Sequence, residues 1–266
     1  ETDTLPLIRT KLYQPRITGD LVPRPRLLER LEERRGRPLT LVVAPAGFGK
    51  TTLVSSWLET CGCPGAWLTL DENDNDLVLF LTYFLAAIQT MFPDACYDTQ
   101  GMLKAATLPP VPVIAGTLTN ELDQIDAPFI VVLDDYHLIQ NLAVHNLLGE
   151  LLRHPPRTLH LVLASRSDPL LPLTTLRARS QVTEIRAPDL RFTKGETAAF
   201  LEQQLGTPAH DRTVKALTEQ LEGWVTGLRL LTLSLRHRGS TNLVPDRLPG
   251  SVTYVTDYLM AEVLEG

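Results

Sequence analysis

Residues 39–59 read LTLVVAPAGFGKTTLVSSWLE: an apolar run, a turn holding two glycines and a lysine, then a helical pattern. The run Leu39 to Ala44 has the length of a fully buried strand. The turn follows the template G-x-x-x-x-G-K-[ST] at Gly49, Lys50 and Thr51. Ala44 stands where the template has its first glycine, and Gly47 supplies the permissive backbone instead. The backbone from Pro45 through Ala46, Gly47, Phe48 and Gly49 to Thr52 then forms an anion nest, and the helix adds its positive dipole end. Lys50 would reach the β- and γ-phosphates of a nucleotide, and the Thr51 hydroxyl would coordinate Mg²⁺. The same residues also fit a plain strand–turn–helix with a surface lysine.

Working outward, a phosphate-plus-Mg²⁺ site needs a carboxylate at the end of a neighbouring strand. FIVVLDDYHLI, 129–139, supplies Asp134 for the metal and Asp135 to orient or deprotonate an attacking water. Otherwise the two aspartates simply end a strand and cap the next helix. The next apolar run, TLHLVLASR (158–166), ends in Arg166. If it inserts beside the loop strand, Arg166 points at the γ-phosphate; the alternative is a surface arginine at a strand end.

GAWLTL (65–70) and VTEIR (182–186) complete five strand candidates alternating with helical segments, a pattern that gives a parallel sheet covered on both faces. Beyond Pro188 only helices are expected: a capping-box start at Thr193 and Glu196, DRTVKALTEQLEG, WVTGLRLLTLSLRHRG and SVTYVTDYLMAEVLEG. The expected units are therefore 1–188, binding nucleotide, and 189–266, helical and cut at its C-terminal end. The start at Glu1 also reads as cut. The opening segment before Pro25 reads as extended, and RPRLLERLEERRGR (24–37) as a solvated amphipathic helix.

The 266 residues carry a net charge of −6. No basic surface for nucleic acid is implied. Three cysteines without C-x-x-C spacing indicate free thiols in a reducing compartment. No apolar run approaches the roughly 18 residues of a membrane span.

TKLYQPR, LVPRPRLLERL, VVAPAGFGKTTL, WLTLDENDND, VVLDDYHLI, LASRSDPLLPL, LRFT, EGWVTGLRLLTLSL and DYLMAEVL occur in this order. Together they resemble the ATPase module of the signal-transduction ATPases called STAND proteins. The branch is the MalT-like one, within the large ATP-binding LuxR-type regulators. The resemblance covers essentially the whole chain. It implies a P-loop NTPase fold with strand order 5-1-4-3-2 followed by a small helical domain. It also implies adenine contacts from Val22 and Arg24, and a GWVTGL segment closing over the nucleotide. Many relatives have a proline in that segment where this chain has Val225.

The resemblance implies a cytoplasmic switch that binds ATP or ADP with Mg²⁺. Its ATP state self-associates, and slow hydrolysis resets it. DNA would be met only through a helix-turn-helix domain outside this chain. A P-loop phosphotransferase acting on a small molecule is the alternative, and a binding module with negligible turnover a third reading.

Overall fold

The computed structural model describes residues 7–237, apart from positions 18 and 20. The helix expected over 251–266 lies outside the described residues. Five strands form one parallel sheet: β1 (Leu39–Val43), β2 (Gly65–Thr69), β3 (Phe129–Asp134), β4 (Leu159–Ser165) and β5 (Val182–Arg186). Their order is β2-β3-β4-β1-β5. Taken from the other edge this is the expected 5-1-4-3-2, with β4 inserted between β1 and β3.

Alternation along each strand divides the core. Leu39, Leu41, Val131, Leu133, Leu161 and Leu163 face one layer. That layer is built from α3 (Leu77–Gln89), α5 (Val111–Asp123) and α6 (Leu142–Arg153). Val42, Ile130, Val132, Val162 and Ile185 face the opposite layer, α1 (Pro25–Glu33) and α2 (Lys50–Thr60), around Trp57 and Trp67. Short helices α4 (Tyr97–Leu103), α7 (Leu173–Ala178) and α8 (Ala187–Leu190) fill connections whose sequence carries no helical signal. A third apolar cluster joins α9 (Lys194–Leu205), α10 (Asp211–Gln220) and α11 (Val225–His237), and takes in Val22 from the N-terminal segment. Thr193 and Glu196 cap α9 reciprocally, as their spacing predicts.

Three local expectations need correction. The N-terminal segment is not simply extended: Arg9–Leu12 forms a 3₁₀ turn. Lys11 ties it down, with Nζ 2.5 Å from Asp74, 3.1 Å from Asp71 and 4.2 Å from the centre of the Tyr83 ring. β3 stops at Asp134, because Asp135 adopts a left-handed conformation (φ 56°) that turns the chain into the 3₁₀ turn Tyr136–Leu138. Only part of the arginine-rich stretch around α1 is a solvated face: Arg26 and Arg34 are exposed, but others are tied down. Arg30 donates to the Glu184 carbonyl at 2.6 Å and Arg37 to the Val182 carbonyl at 2.7 Å. Arg24 is buried. Charges near a helix that also has backbone acceptors within reach become staples.

His160 is buried in β4, with Nδ1 2.5 Å from the Arg37 carbonyl and Nε2 3.0 Å from the Thr40 hydroxyl. A carbonyl only accepts, so Nδ1 carries a hydrogen. Burial pushes its pKa down from 6.5 to about 4.

Two outcomes are expected for stability. Between pH 6.5 and 4 the unfolded histidine binds a proton that the folded one refuses, so its contribution to stability falls as the pH drops, by up to about 1.4 kcal/mol per unit. Asp134, raised from 3.8 to about 6, acts in the opposite direction over the same range, so the histidine's share is read by difference: in urea titrations from pH 7 to pH 5 the change in stability should be less unfavourable in His160→Gln than in the wild type. Lys11→Met leaves the fully buried Asp74 carboxylate uncompensated and should cost roughly 3–5 kcal/mol in the same assay.

Candidate functional site

The parallel register brings the carboxyl ends of β1, β3 and β4 together. Val43 pairs with Ser165, Leu133 with Leu163, and the Ala44 amide donates to the Ser165 carbonyl at 3.2 Å. The glycine loop leaves β1 at this end and enters α2 at Lys50. Gly47 (φ 76°) and Gly49 (φ 79°) both take left-handed conformations, which residues with a Cβ rarely adopt. The loop therefore needs glycine at both points. Pro45 and Thr52 are exposed, while Phe48 packs against the α1–α2 core and anchors the loop's crest.

Lys50 is buried and folds back onto its own loop, with Nζ 2.8 Å from the Ala44 carbonyl and 3.1 Å from that of Pro45. Burial lowers its pKa, partly offset by Asp135 and Asp134, while Arg166 lowers it further. The Thr51 hydroxyl donates to Asp134, 2.9 Å from Oδ2 and 3.2 Å from Oδ1. Residues 51 and 134 are thus in direct contact. Asp134 is buried. Burial first, and the neighbouring Asp135 charge second, raise its pKa from 3.8 to about 6. Hydrogen bonds from Thr51 and from the Asp135 amide pull the other way.

Asp135 is partly exposed and lies 3.9 Å from Nδ1 of His137. That nitrogen is buried and has no hydrogen-bond partner among the described residues. Burial lowers the His137 pKa; Asp135 opposes this, and Arg166 adds to it. Arg166 comes directly after the last residue of β4, and its charge acts on both Lys50 and His137. The five polar groups Lys50, Thr51, Asp134, Asp135 and Arg166 therefore share one end of the sheet, and His137 joins them.

Beside the loop–helix junction lies a narrow cavity of about 60 Å³ between Gly49 and Thr52 on one side and Val22, Leu28, Phe192 and Val225 on the other. Arg24 lines it too, but its head group is engaged. It donates to the Leu190 carbonyl at 2.6 Å, pairs with Glu196 at 3.5 Å and stands over the Phe192 ring. Two larger surface cavities lie elsewhere, one at the opposite end of the strands by Arg35, Arg37 and Arg157 and one by Phe92, Cys96 and Glu121, and neither touches the residues at the loop.

Sequence reasoning missed one set of contacts. Trp224 donates from Nε1 to the Ala46 carbonyl at 3.1 Å. Thr226 donates to the Gly47 carbonyl twice, from N at 3.2 Å and from Oγ1 at 3.0 Å. A tryptophan and a threonine at the head of an apolar helix carry no periodic signal for such contacts. Only the fold reveals which way they point.

No protein-family model matches the chain. It is 37% identical over 261 residues to the HTH-type transcriptional regulator MalT of Yersinia pestis (strain Pestoides F). It matches MalT of Yersinia enterocolitica serotype O:8 at 36% over the same length. These alignments cover 97% of the chain but 29% of each relative. The chain thus spans under a third of their length. In structure it resembles a signal transduction ATPase with numerous domains (STAND) from Pyrococcus horikoshii that carries a tetratricopeptide repeat sensor. The TM-score is 0.57 at 18% identity, covering 82% of this chain and 30% of the other. No helix among the described residues is long and apolar enough to cross a membrane. By sequence the chain is MalT-like over nearly all of its own length, and its fold resembles that of a STAND-type P-loop ATPase.

Proposed function

We propose that this module is a nucleotide-controlled switch that binds ATP or ADP with Mg²⁺ and hydrolyses ATP slowly. The observation that carries the reading is the Thr51–Asp134 contact at 2.9 Å, at the foot of a loop with left-handed glycines. A hydroxyl and a carboxylate so placed form one wall of a hard-cation site. The residues fit that cation on electrostatic grounds as well. Asp134 is buried beside Asp135, and the two like charges repel, which a cation against them would relieve. Bound Mg²⁺ would supply the charge that neutralises phosphate oxygens and these carboxylates together.

The remaining roles fall to the chain's own groups. The amides of residues 46 to 52 cradle phosphate oxygens, and the orphan N–H groups of the first turn of α2 are among them. Lys50 exchanges two carbonyls for phosphate, a stronger charge-assisted partner. Asp135, partly exposed, orients an attacking water, and Arg166 stabilises charge at the terminal phosphate. Val22 and its apolar neighbours in the narrow cavity would hold the base, and Arg24 shapes the cavity wall. Residues 1–188 form the nucleotide-binding unit, and the helices from 189 onward form its cover.

In a longer protein of MalT type, such a switch would govern transcription. DNA would be contacted by another part of that protein, and the ATP form would self-associate. The differential affinity of two conformations for ATP and ADP is the physical content of that control.

Two substitutions test the site. Lys50→Ala should weaken ATP binding, followed by calorimetry, by roughly 100-fold or more while the circular dichroism spectrum stays unchanged. Unchanged affinity would remove the loop from the site. Asp134→Asn keeps a side chain able to accept from Thr51 but removes a buried charge. Without ligand it should melt higher, by about 2–4 °C for each kcal/mol regained. It should also lose the Mg²⁺ dependence of nucleotide binding. Phosphate release from ATP without an acceptor supports the switch; a phosphorylated small molecule would point to a phosphotransferase.

A further inference from the structure

The segment Gly223-Trp224-Val225-Thr226-Gly227 turns into α11 directly against the glycine loop. Each of its residues has a visible job. Gly223 is left-handed (φ 68°), and a Cβ there would lie 2.7 Å from both the amide nitrogen and the carbonyl oxygen of Phe192. The Phe192 amide donates to the Gly223 carbonyl at 2.9 Å, fixing where the turn begins. Gly227 leaves room for the indole, since a Cβ there would come within 2.5 Å of the Trp224 ring. Val225 faces the narrow cavity. Trp224 and Thr226 are left to hold the Ala46 and Gly47 carbonyls. The approach is tight: a Cβ on Gly47 would lie 2.6 Å from Thr226 Oγ1 and 2.7 Å from Trp224 Nε1.

These bonds constrain more than two oxygens. A trans peptide is planar, with its C=O and N–H pointing in opposite directions. The Ala46 carbonyl shares a peptide with the Gly47 N–H, and the Gly47 carbonyl with the Phe48 N–H. Holding both carbonyls against α11 therefore aims both N–H groups away from α11. Neither N–H has a protein acceptor among the described residues. Among the described residues, two consecutive donors are thus oriented and meet no protein acceptor.

We propose that Trp224 and Thr226 are positioning residues that preset the phosphate loop from behind. The inference deepens the nucleotide-switch reading and rests on it for the identity of the anion. Preset donors avoid reorganisation on binding, so affinity for a polyphosphate depends on α11 being docked. By reciprocity, a bound polyphosphate holds α11 in place by the same factor. The docking of the helical part and the loading of the loop become one equilibrium, joined at two peptide units.

The test uses the 266-residue chain with Thr226→Val, which keeps the shape and the backbone donor but loses the hydroxyl, and Trp224→Phe, which keeps a ring but loses the N–H. Thr226→Ser serves as the conservative control. Without ligand, exchange of the residue-226 amide, which donates to the Gly47 carbonyl, should speed up by about three- to tenfold in each of the first two, the size of one lost hydrogen bond. Thr226→Ser should match the wild type. With ATP·Mg²⁺ as probe, affinity should fall by a similar factor in the first two variants and not in the third. Trp224 emission, obtained by subtracting the Trp224→Phe spectrum, should shift to the red in Thr226→Val and shift back on adding the probe.

Exchange and affinity as in the wild type in both variants, with an unchanged spectrum, overturn the proposal. If the wild type fails to bind ATP, the nucleotide reading falls. The exchange arm then still decides whether α11 presets the loop.

Discussion

Parallel register is the constraint on which the site depends. In a parallel sheet every strand ends at the same side, so β1, β3 and β4 deliver Ala44, Asp134 and Arg166 to one rim. The insertion of β4 between β1 and β3 separates the loop strand from the acidic strand by one strand width. The gap is bridged from above by α2, whose Thr51 reaches Asp134. A slip of one residue along any of these pairings would turn Asp134 toward the opposite face of the sheet and leave Thr51 without its partner.

The rim is electrostatically unsettled by itself. Asp134 is pushed toward its neutral form and Lys50 toward its own, each by burial, while each favours the other's charge. Lys50 spends its donors on two loop carbonyls. Such an arrangement costs folding free energy and is kept where the chemistry of a ligand later repairs it. His137, buried next to Asp135 with an unbonded ring nitrogen, belongs to the same pattern.

Most of this was legible in the sequence, for identifiable reasons. Central strands buried on both faces read as apolar runs, the edge strand VTEIR was visible by its length and place in the alternation, and glycines with a following lysine marked the loop. Asp134 was legible because a strand ending in acid beside such a loop has few other uses. Arg24 was read as a base contact through resemblance alone. Its partners, the Leu190 carbonyl and Glu196, lie more than 160 residues away, and no local pattern reveals them. Helices of seven residues or fewer, α4, α7 and α8, show too little periodicity to be seen. The GWVTGL segment was legible as one lying near the loop, but the direction of Trp224 was not. Its partner is a backbone carbonyl, and every residue has one.

The arginine staples on β5 have a further meaning. Among the described residues β5 closes the sheet on one side and pairs only with β1, and the Gln181 carbonyl accepts from Leu39 across that pairing. Carbonyls alternate along a strand, so those of Val182 and Glu184 face outward, where a stray strand from another molecule would add itself. Both are already taken by the guanidinium groups of Arg37 and Arg30. An open sheet margin is the usual starting point for aggregation. Here it is sealed by side chains rather than by another strand, so copies of this chain that meet edge to edge find no ladder to extend on this flank.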